Sequence, residues 1–303
     1  MSKLKYVIAS LVLLISTGVN AAYIETLNGP PSAFRIERDT KKIKKIAPFM
    51  PLQVGDKITI RKPTHDFDHI SNKENAITLT LDDGTSKTLK YADTQEKHYT
   101  VTATDSHNVV TGVMNTFYVW FNRLWKNDIQ TSKPLVVLDG EARTIPPLSM
   151  RLFKGNNAKL IASDRELHLA WYGGKPPYQV QVSQIGAKTA LWNEKNIAKS
   201  EITLKKQLIT AGSYQVVISD ARGGDPIIGE FTALTNTPLL FQDSETQAIE
   251  QSHLPALSKK TLQAAWLAKQ GGWYFEAYQR IAKITGYYPA RLLKQGLERG
   301  RRP

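Results

Sequence analysis

AITLTLDDGTSKTLKY, residues 76 to 91, carries the clearest strand and turn signals in the chain. Isoleucine and leucine alternate with threonine in its first six residues, the two-residue period of a strand with one buried face. The DDG that follows suits a tight reversal, because glycine tolerates a positive φ and aspartate hydrogen-bonds to nearby backbone. We therefore predict an antiparallel hairpin with Asp83 and Gly84 in its turn.

A second strand and turn pattern lies upstream, in PLQVGDKITI at residues 51 to 60. The chain runs here in the order apolar residue, Gly-Asp, strand and Asp-Gly hairpin. This order resembles that of the FecR-like periplasmic domain. The positions that match this pattern are Leu52, Gly55, Asp56, Ile58, Leu79, Asp83, Gly84 and Leu89. The resemblance implies a β domain over residues 22–104 and a periplasmic location.

The N-terminus, residues 1–21, has the form of a secretory signal peptide. Lys3 and Lys5 precede the apolar run VIASLVLLIS, which is too short to span a bilayer comfortably. Small residues before Ala21 favour cleavage after it, which would leave a mature periplasmic chain beginning at Ala22; a retained membrane anchor is the alternative. No later stretch reaches the length of a membrane helix, so we expect no transmembrane anchor after cleavage.

The chain is basic and contains no cysteine. Its formal net charge is +13, and the densest cluster, KKIKK, supplies Lys41, Lys42, Lys44 and Lys45. Excess positive charge favours anionic partners. Because export is predicted, we expect an acidic glycan, a lipid surface or an acidic protein rather than nucleic acid. The absence of cysteine excludes a lipoprotein anchor, disulfides and thiolate metal sites.

An amphipathic helix is predicted in NVVTGVMNTFYVWFNRLW, residues 108 to 125, within a connector spanning 105–133. Its apolar residues recur at spacings of three and four. Two interpretations are open: a docking helix that offers Phe117, Trp120, Phe121 and Trp125 to a membrane or partner, or a connector packed between two β domains. The connector is favoured, because few basic residues flank the aromatic ones.

Residues 134–234 predict a β-sandwich. Five short strands, at 167–171, 178–185, 200–206, 213–220 and 227–234, alternate with turn signals at intervals typical of an immunoglobulin-like fold. The stretch LAWYGGKPPYQVQV resembles the strand, turn and strand element of bacterial Ig-like modules. In that resemblance Trp171 fills the core and Tyr178 begins the next strand.

The C-terminal part of the chain predicts a linker followed by helices. Residues 235–257 show no periodicity. Helices then follow over 258–303, with Ser258 as the expected N-cap and Gly271 and Gly272 ending the first. The order AAWLAKQGGWYFEAYQRIA resembles a tetratricopeptide-like helix pair, and a single pair implies a docking element or a helical cap rather than a groove.

Sequence signatures of catalysis are scarce. The chain has no Gly-x-Ser-x-Gly and no phosphate-binding glycine loop. HDFDH is the one candidate metal motif, with ligands from His65, Asp66, Asp68 and His69, in a polar segment that favours a solvated loop. We therefore predict no cofactor and no catalytic residue.

Together these patterns predict a mainly β multidomain protein: a FecR-like β domain, a connecting amphipathic helix, an Ig-like β-sandwich and a C-terminal α-helical hairpin. The predicted function is a non-catalytic periplasmic protein-interaction or scaffold protein of the bacterial cell envelope, with envelope proteins as partners. One alternative is a binder of anionic envelope polymer, peptidoglycan or lipopolysaccharide. A metal-assisted hydrolase built on His65 and His69 is the other.

Overall fold

A computed structural model of the chain describes residues 20–62, 74–81, 84–102, 117–124, 145–153, 155, 157–236 and 244–302. In these ranges the protein is mainly β, with four sheets and a C-terminal helical region. The predicted mainly β class is confirmed at this level. Within the described residues, no helix combines the length and the apolar character needed to cross a bilayer.

The first β module consists of two four-stranded antiparallel sheets, with strand orders β4-β1-β6-β7 and β3-β2-β5-β8. A 3-10 turn, Pro31–Ala33, precedes β2, and a short helix α1, Tyr91–Thr94, follows β7. The strands are β1 (Asn20–Asn28), β2 (Phe34–Arg38), β3 (Lys41–Lys42), β4 (Pro51–Gln53), β5 (Lys57–Ile60), β6 (Ala76–Leu81), β7 (Ser86–Lys90) and β8 (Tyr99–Thr100).

The predicted hairpin is confirmed as β6 and β7. Ile77 lies opposite Leu89, and both side chains are buried. On the other face the hydroxyls of Thr78 and Thr88 are 3.1 Å apart. Ile77 and Leu79 are buried as the alternation predicts, but Leu81 is only partly buried. Thr80 is buried because its hydroxyl donates to Glu25.

The predicted signal cleavage site falls at the start of β1, where Ala21 and Ala22 are both buried. Cleavage after Ala21 stays a prediction. It would leave Ala22, which pairs with Leu52 on one side and Leu81 on the other, as the first residue of the strand.

The aromatic helix is described over residues 117–124 and is called α2 here. Phe121 packs on Phe49 of the first β module, with ring centroids 4.8 Å apart. One turn later Leu124 lies against Gly296, where an added Cβ would come within 2.7 Å of Leu124 Cδ2. Helix α2 therefore contacts both the first β module and the C-terminal helices.

The second β module has a five-stranded sheet, ordered β12-β11-β14-β15-β9, and a two-stranded sheet of β10 and β13. Only β9 and β15 run parallel; the other pairs are antiparallel. The strands are β9 (Ala158–Ile161), β10 (Ser163–Ala170), β11 (Tyr178–Gln184), β12 (Trp192–Ile197), β13 (Glu201–Ile209), β14 (Gly212–Ser219) and β15 (Ile227–Leu234). All five predicted strands are present, while β9 and β12 were missed.

Two pairs of aromatic residues lie in the core of the second β module. Trp171 is buried and meets Tyr178 edge to face, with centroids 5.2 Å apart, so its predicted core role is confirmed. Tyr214 stacks on Phe231, and its hydroxyl donates a 2.9 Å hydrogen bond to the carbonyl of Thr210. This bond ties the start of β14 to the residues just before it.

The C-terminal helices are α3 (Ser244–Gln251), α4 (Ala256–Lys269), α5 (Tyr274–Ile281) and α6 (Tyr288–Glu298), called the helical region below. Helix α3 lies inside the predicted linker, and its Thr246 and Ile249 are buried. A short polar segment with only two buried positions has too little hydrophobic periodicity for a helix to be predicted from it. The predicted N-cap was also wrong, because Ser258 lies inside α4 and is buried.

Helix α5 closes the open side of the second β module, where β9 and β10 have unpaired outer edges. On β9, the N–H of Ile161 donates to Glu276 of α5 at 3.2 Å, and that of Lys159 donates to the carbonyl of Gly272, in the turn just before the helix, at 2.7 Å. On β10, the Gln279 amide both accepts from the N–H of His168, at 2.9 Å, and donates to its carbonyl, at 2.8 Å. The helix thereby satisfies backbone groups that would otherwise be buried without partners.

Gly272 permits this close approach. Its φ is +86°, and a Cβ there would lie 2.3 Å from the carbonyl oxygen of Asn157. Any other residue would push the turn between α4 and α5 away from the strand.

The helical region also bonds to the first β module. The hydroxyl of Ser258 in α4 lies 2.7 Å from that of Tyr287 and donates to Glu25 of β1 at 3.5 Å. Thr80 donates to the same carboxylate at 2.9 Å and Ser86 at 3.1 Å. Both β modules and the helices share one hydrophobic cluster, so the described parts form a single packed unit.

A buried carboxylate fixes α5 on the second β module. Glu276, 2% exposed, accepts from Arg165 Nη1 at 2.7 Å, from Arg280 Nε at 3.0 Å and from the N–H of Ile161 at 3.2 Å. The charge is compensated on every side, so removing it leaves two cations without their partner.

We expect Glu276→Gln to lower the free energy of unfolding by about 3 kcal/mol, because it breaks a buried ion pair. Chemical denaturation followed by far-UV circular dichroism would measure the loss. The matched control is Asp164→Asn, which removes the partner of Lys206 in an exposed pair and should leave stability almost unchanged. Equal effects of the two substitutions would contradict the assigned role of Glu276.

Candidate functional site

The Gly-Asp motif position Asp56 has a structural role in the first β module. Its carboxylate is fully buried and accepts from Arg38 Nε at 2.8 Å, from Arg38 Nη2 at 2.7 Å and from the N–H of Gln53 at 2.9 Å. Gly55 precedes it in the turn between β4 and β5, and Leu52 is buried in β4. The motif thus ties β2 to that turn and leaves no group free for a ligand.

The hairpin motif positions are also structural where they are described. Gly84 has φ +84° and donates to the carbonyl of Leu81 at 3.0 Å. A Cβ at Gly84 would lie 2.6 Å from the carbonyl of His253, so this turn lies against the helical region. Asp83 falls outside the described residues.

The candidate aromatic docking residues are in the core. Phe117, Trp120 and Phe121 are 1%, 6% and 0% exposed. Trp125 lies outside the described residues. In the described part of the helix only Val119, 50% exposed, is a large apolar residue that reaches solvent. The burial of these residues favours packing over docking, but α2 packs against the first β module and the C-terminal helices rather than between two β modules, where the connector interpretation expected it.

The four candidate lysines are all exposed. Lys41 and Lys42 form β3, an edge strand, and Lys44 and Lys45 follow it. The intervening Ile43 packs against the core, and its N–H donates to the carbonyl of Ile36 at 2.8 Å. An apolar anchor therefore holds this segment, called the lysine edge below, with its charged side chains in solvent.

The sheet face beside the lysine edge is also basic. Lys42 lies opposite Glu37, which in turn lies opposite Lys57 on the next strand. Glu37 also forms an ion pair with Arg35. Among the described residues, no carboxylate lies within ion-pair distance of a lysine of the edge. Three cations therefore surround one carboxylate on this face, and the local potential is positive.

The candidate metal motif, His65 to His69, falls outside the described residues. In the ranges that the structure does describe, no group of three or more His, Asp or Glu side chains could hold a metal ion.

A cleft of about 440 Å³ lies between the second β module and the end of α6. It was not predicted, because its residues come from three places that are far apart in sequence. The residues that give the cleft its chemistry are Trp171, Tyr172, Tyr178, Lys199, Glu201 and Glu298.

Glu298 is the central acceptor of the cleft. It accepts from the hydroxyl of Tyr278 at 3.2 Å and from that of Tyr172 at 3.4 Å. Lys294 Nζ lies 3.8 Å from Glu298 and 3.2 Å from Glu201, so one ammonium bridges two carboxylates. Burial raises the pKa of Glu298 above the ordinary value of 4.5, although Lys294 opposes the shift.

Two further groups give the cleft its donor and its aromatic surface. Tyr172 is 37% exposed, so part of its ring faces solvent. Lys199 lines the cleft and is exposed, so its ammonium is a donor that a ligand can reach. The arrangement can bind a polar ligand by hydrogen bonds and aromatic contact.

The chain matches no protein-family model, and searches of curated proteins and of solved structures found no match either. The FecR-like, Ig-like and tetratricopeptide-like resemblances therefore remain predictions from sequence.

We expect Glu298→Gln to gain stability relative to the natural protein as the pH rises from about 4 to about 7. A glutamate whose folded pKa is raised stabilises the fold below its unfolded pKa, and that contribution is lost as the pH rises through the folded pKa. Glutamine carries no such proton. The difference in Tm between the two proteins, measured across this pH range, should change in favour of glutamine.

The control for this experiment is Glu201→Gln, which removes the other partner of Lys294. A pH-dependent difference of the same size in Glu201→Gln would assign the effect to Lys294. A difference between Glu298→Gln and the natural protein that is constant with pH would contradict the burial argument directly.

Proposed function

We propose that this chain is a non-catalytic interaction scaffold of the bacterial cell envelope that works in the periplasm after export. The observation that carries the proposal is the position of the helical region. Seven of the eight residues of α5 are buried, and the region bonds to both β modules. The helices hold the modules together and leave the outer faces of the sheets to partners.

The proposed domain identities rest on sequence motifs for the first β module and on topology for the second. The first β module is assigned as FecR-like from its turn and hairpin motifs. The second is assigned as Ig-like, because it combines a five-stranded with a two-stranded sheet and its first strand runs parallel to its last. The bond from Tyr214 to Thr210, at the start of a late strand, has the geometry of the tyrosine corner common in such folds.

Helices α4 and α5 are proposed as a tetratricopeptide-like pair that acts as a cap. Ala264, Ala265 and Ala277 are fully buried, and such small side chains let helices approach closely; Tyr278 is 1% exposed. A single pair packed on a β module offers no superhelical groove. Its proposed role is therefore to position the modules.

The scaffold proposal predicts a protein partner that resists salt. The tagged chain would be produced with its own N-terminus, captured from a native envelope extract and washed at low salt and then at about 1 M salt, where charges are screened beyond about 3 Å. We expect a discrete protein to remain, because an apolar interface depends little on ionic strength. Mass spectrometry would identify it.

The Glu276→Gln protein tests whether partner binding depends on the relative position of the two β modules, and Asp164→Asn is its control. A partner that contacts both β modules should be retained less by Glu276→Gln and equally by Asp164→Asn. If the high-salt wash leaves no protein on the natural chain, the scaffold proposal is wrong.

The lysine edge supports a second candidate function, the binding of an anionic envelope polymer such as peptidoglycan or lipopolysaccharide. Its four lysines are exposed and lie beside a basic sheet face. Repeated anionic groups on a polymer could contact several of these charges at once, and each contact would weaken as salt screens it.

We expect simultaneous substitution of Lys41, Lys42, Lys44 and Lys45 by glutamine to abolish salt-sensitive sedimentation with purified peptidoglycan or lipopolysaccharide. The matched control removes the same charge from four exposed lysines elsewhere: Lys188, Lys195, Lys205 and Lys260. Equal losses in both variants would indicate net charge alone and contradict a site at the lysine edge.

A further inference from the structure

We propose that the cleft between the second β module and α6 binds a neutral saccharide. The proposal is independent of the scaffold function, because it rests only on the residues of the cleft. The volume of about 440 Å³ falls within the range of about 300–1,000 Å³ typical of small-molecule sites. Such sites occur preferentially where two structural units meet, as the β module and α6 do here.

The aromatic surface of the cleft suits a sugar ring. A pyranose has an apolar face of C–H groups and a rim of hydroxyls. Tyr172 is 37% exposed and lies beside Tyr178 and Trp171, whose own rings pack edge to face. A partly exposed ring supported by buried aromatic residues can stack on that C–H face without rearrangement of the core.

The polar groups suit the hydroxyl rim of the same ring. Glu201 and Glu298 present acceptors, and Lys294 holds them on the same side of the cleft at 3.2 and 3.8 Å. Lys199, which also lines the cleft and is exposed, presents N–H donors beside them. Adjacent hydroxyls can donate and accept at once, which matches this mixture.

The charges of the cleft disfavour charged ligands. Lys294 already pairs with both carboxylates, so an incoming cation would compete with an ammonium in place. An anion would meet Glu201 and Glu298. Lys199 also lines the cleft and Arg299 hydrogen-bonds to Tyr172, so cations and carboxylates are mixed around it and a ligand of either sign meets like charge. A neutral ligand rich in hydroxyls avoids both repulsions, and this decides between a saccharide and an amine.

Binding would be tested with the full chain and defined probes: maltose, cellobiose and N,N′-diacetylchitobiose as neutral disaccharides, spermidine as the cation and glucuronate as the anion. Saturation-transfer NMR would detect binding, and calorimetry would measure it. We expect at least one neutral disaccharide to bind with a Kd of about 1 mM or lower. The Trp171 indole N–H resonance, one of six from tryptophan, should shift on its addition.

Variants would locate the binding in the cleft. Tyr172→Ala should weaken the neutral disaccharide at least about tenfold, while Tyr172→Phe, which keeps the ring, should retain most of the affinity. Glu298→Gln, which keeps the shape of the side chain, should weaken it as well. Tyr99→Ala, in the first β module, is the control and should bind as the natural protein does.

Three results would overturn the proposal. One is no binding of any neutral disaccharide to the folded chain. Another is tighter binding of spermidine or glucuronate than of every neutral probe, which would make the cleft a charged-ligand site. The last is unchanged affinity in both Tyr172→Ala and Glu298→Gln, which would place the binding elsewhere.

Discussion

The buried carboxylate of Glu276 is the interaction on which the arrangement of the described parts depends. Burying a charge is costly unless every side of it is paired, and here two guanidinium groups and a backbone N–H of β9 do so. This pairing orients α5, and Gln279, one turn later, then meets the edge of β10. From α5 the chain continues through Tyr287 and α6 to the first β module, so one ionic contact helps to determine where the two modules lie.

Much of the β structure could be predicted from the sequence, because its signals are local. The hairpin of β6 and β7 follows from strict alternation and a turn residue, and β15 has the predicted bounds of Ile227–Leu234. The missed elements lack such signals. Strand β9 has only four residues, and β12 is mostly polar, so each is a strand only because of its neighbours. Ser258 resembles a cap but is buried against Tyr287, a contact that the sequence alone does not reveal.

The candidate sites also differ in whether the local sequence is enough to predict them. The exposure of the lysine edge could be predicted, because four charges around a single isoleucine can hardly be buried. The aromatic residues of α2 could serve equally for packing or for docking, and only tertiary contacts such as that of Phe121 with Phe49 assign them to packing. The cleft had no sequence signal, because Tyr172, Glu201 and Glu298 meet only when α6 packs on the second β module.

The capping of β9 and β10 by α5 has a consequence for how the chain is made. Exposed strand edges are templates for pairing with other chains, and natural proteins commonly cover them. Here the cover is encoded well after the strands: Gln279 lies 111 residues beyond His168, with which it pairs. A nascent chain therefore emerges with both edges open, and they close only once α5 has been synthesised. The interval before closure is when this protein is most exposed to aggregation, and chaperones that bind open strands would protect it then.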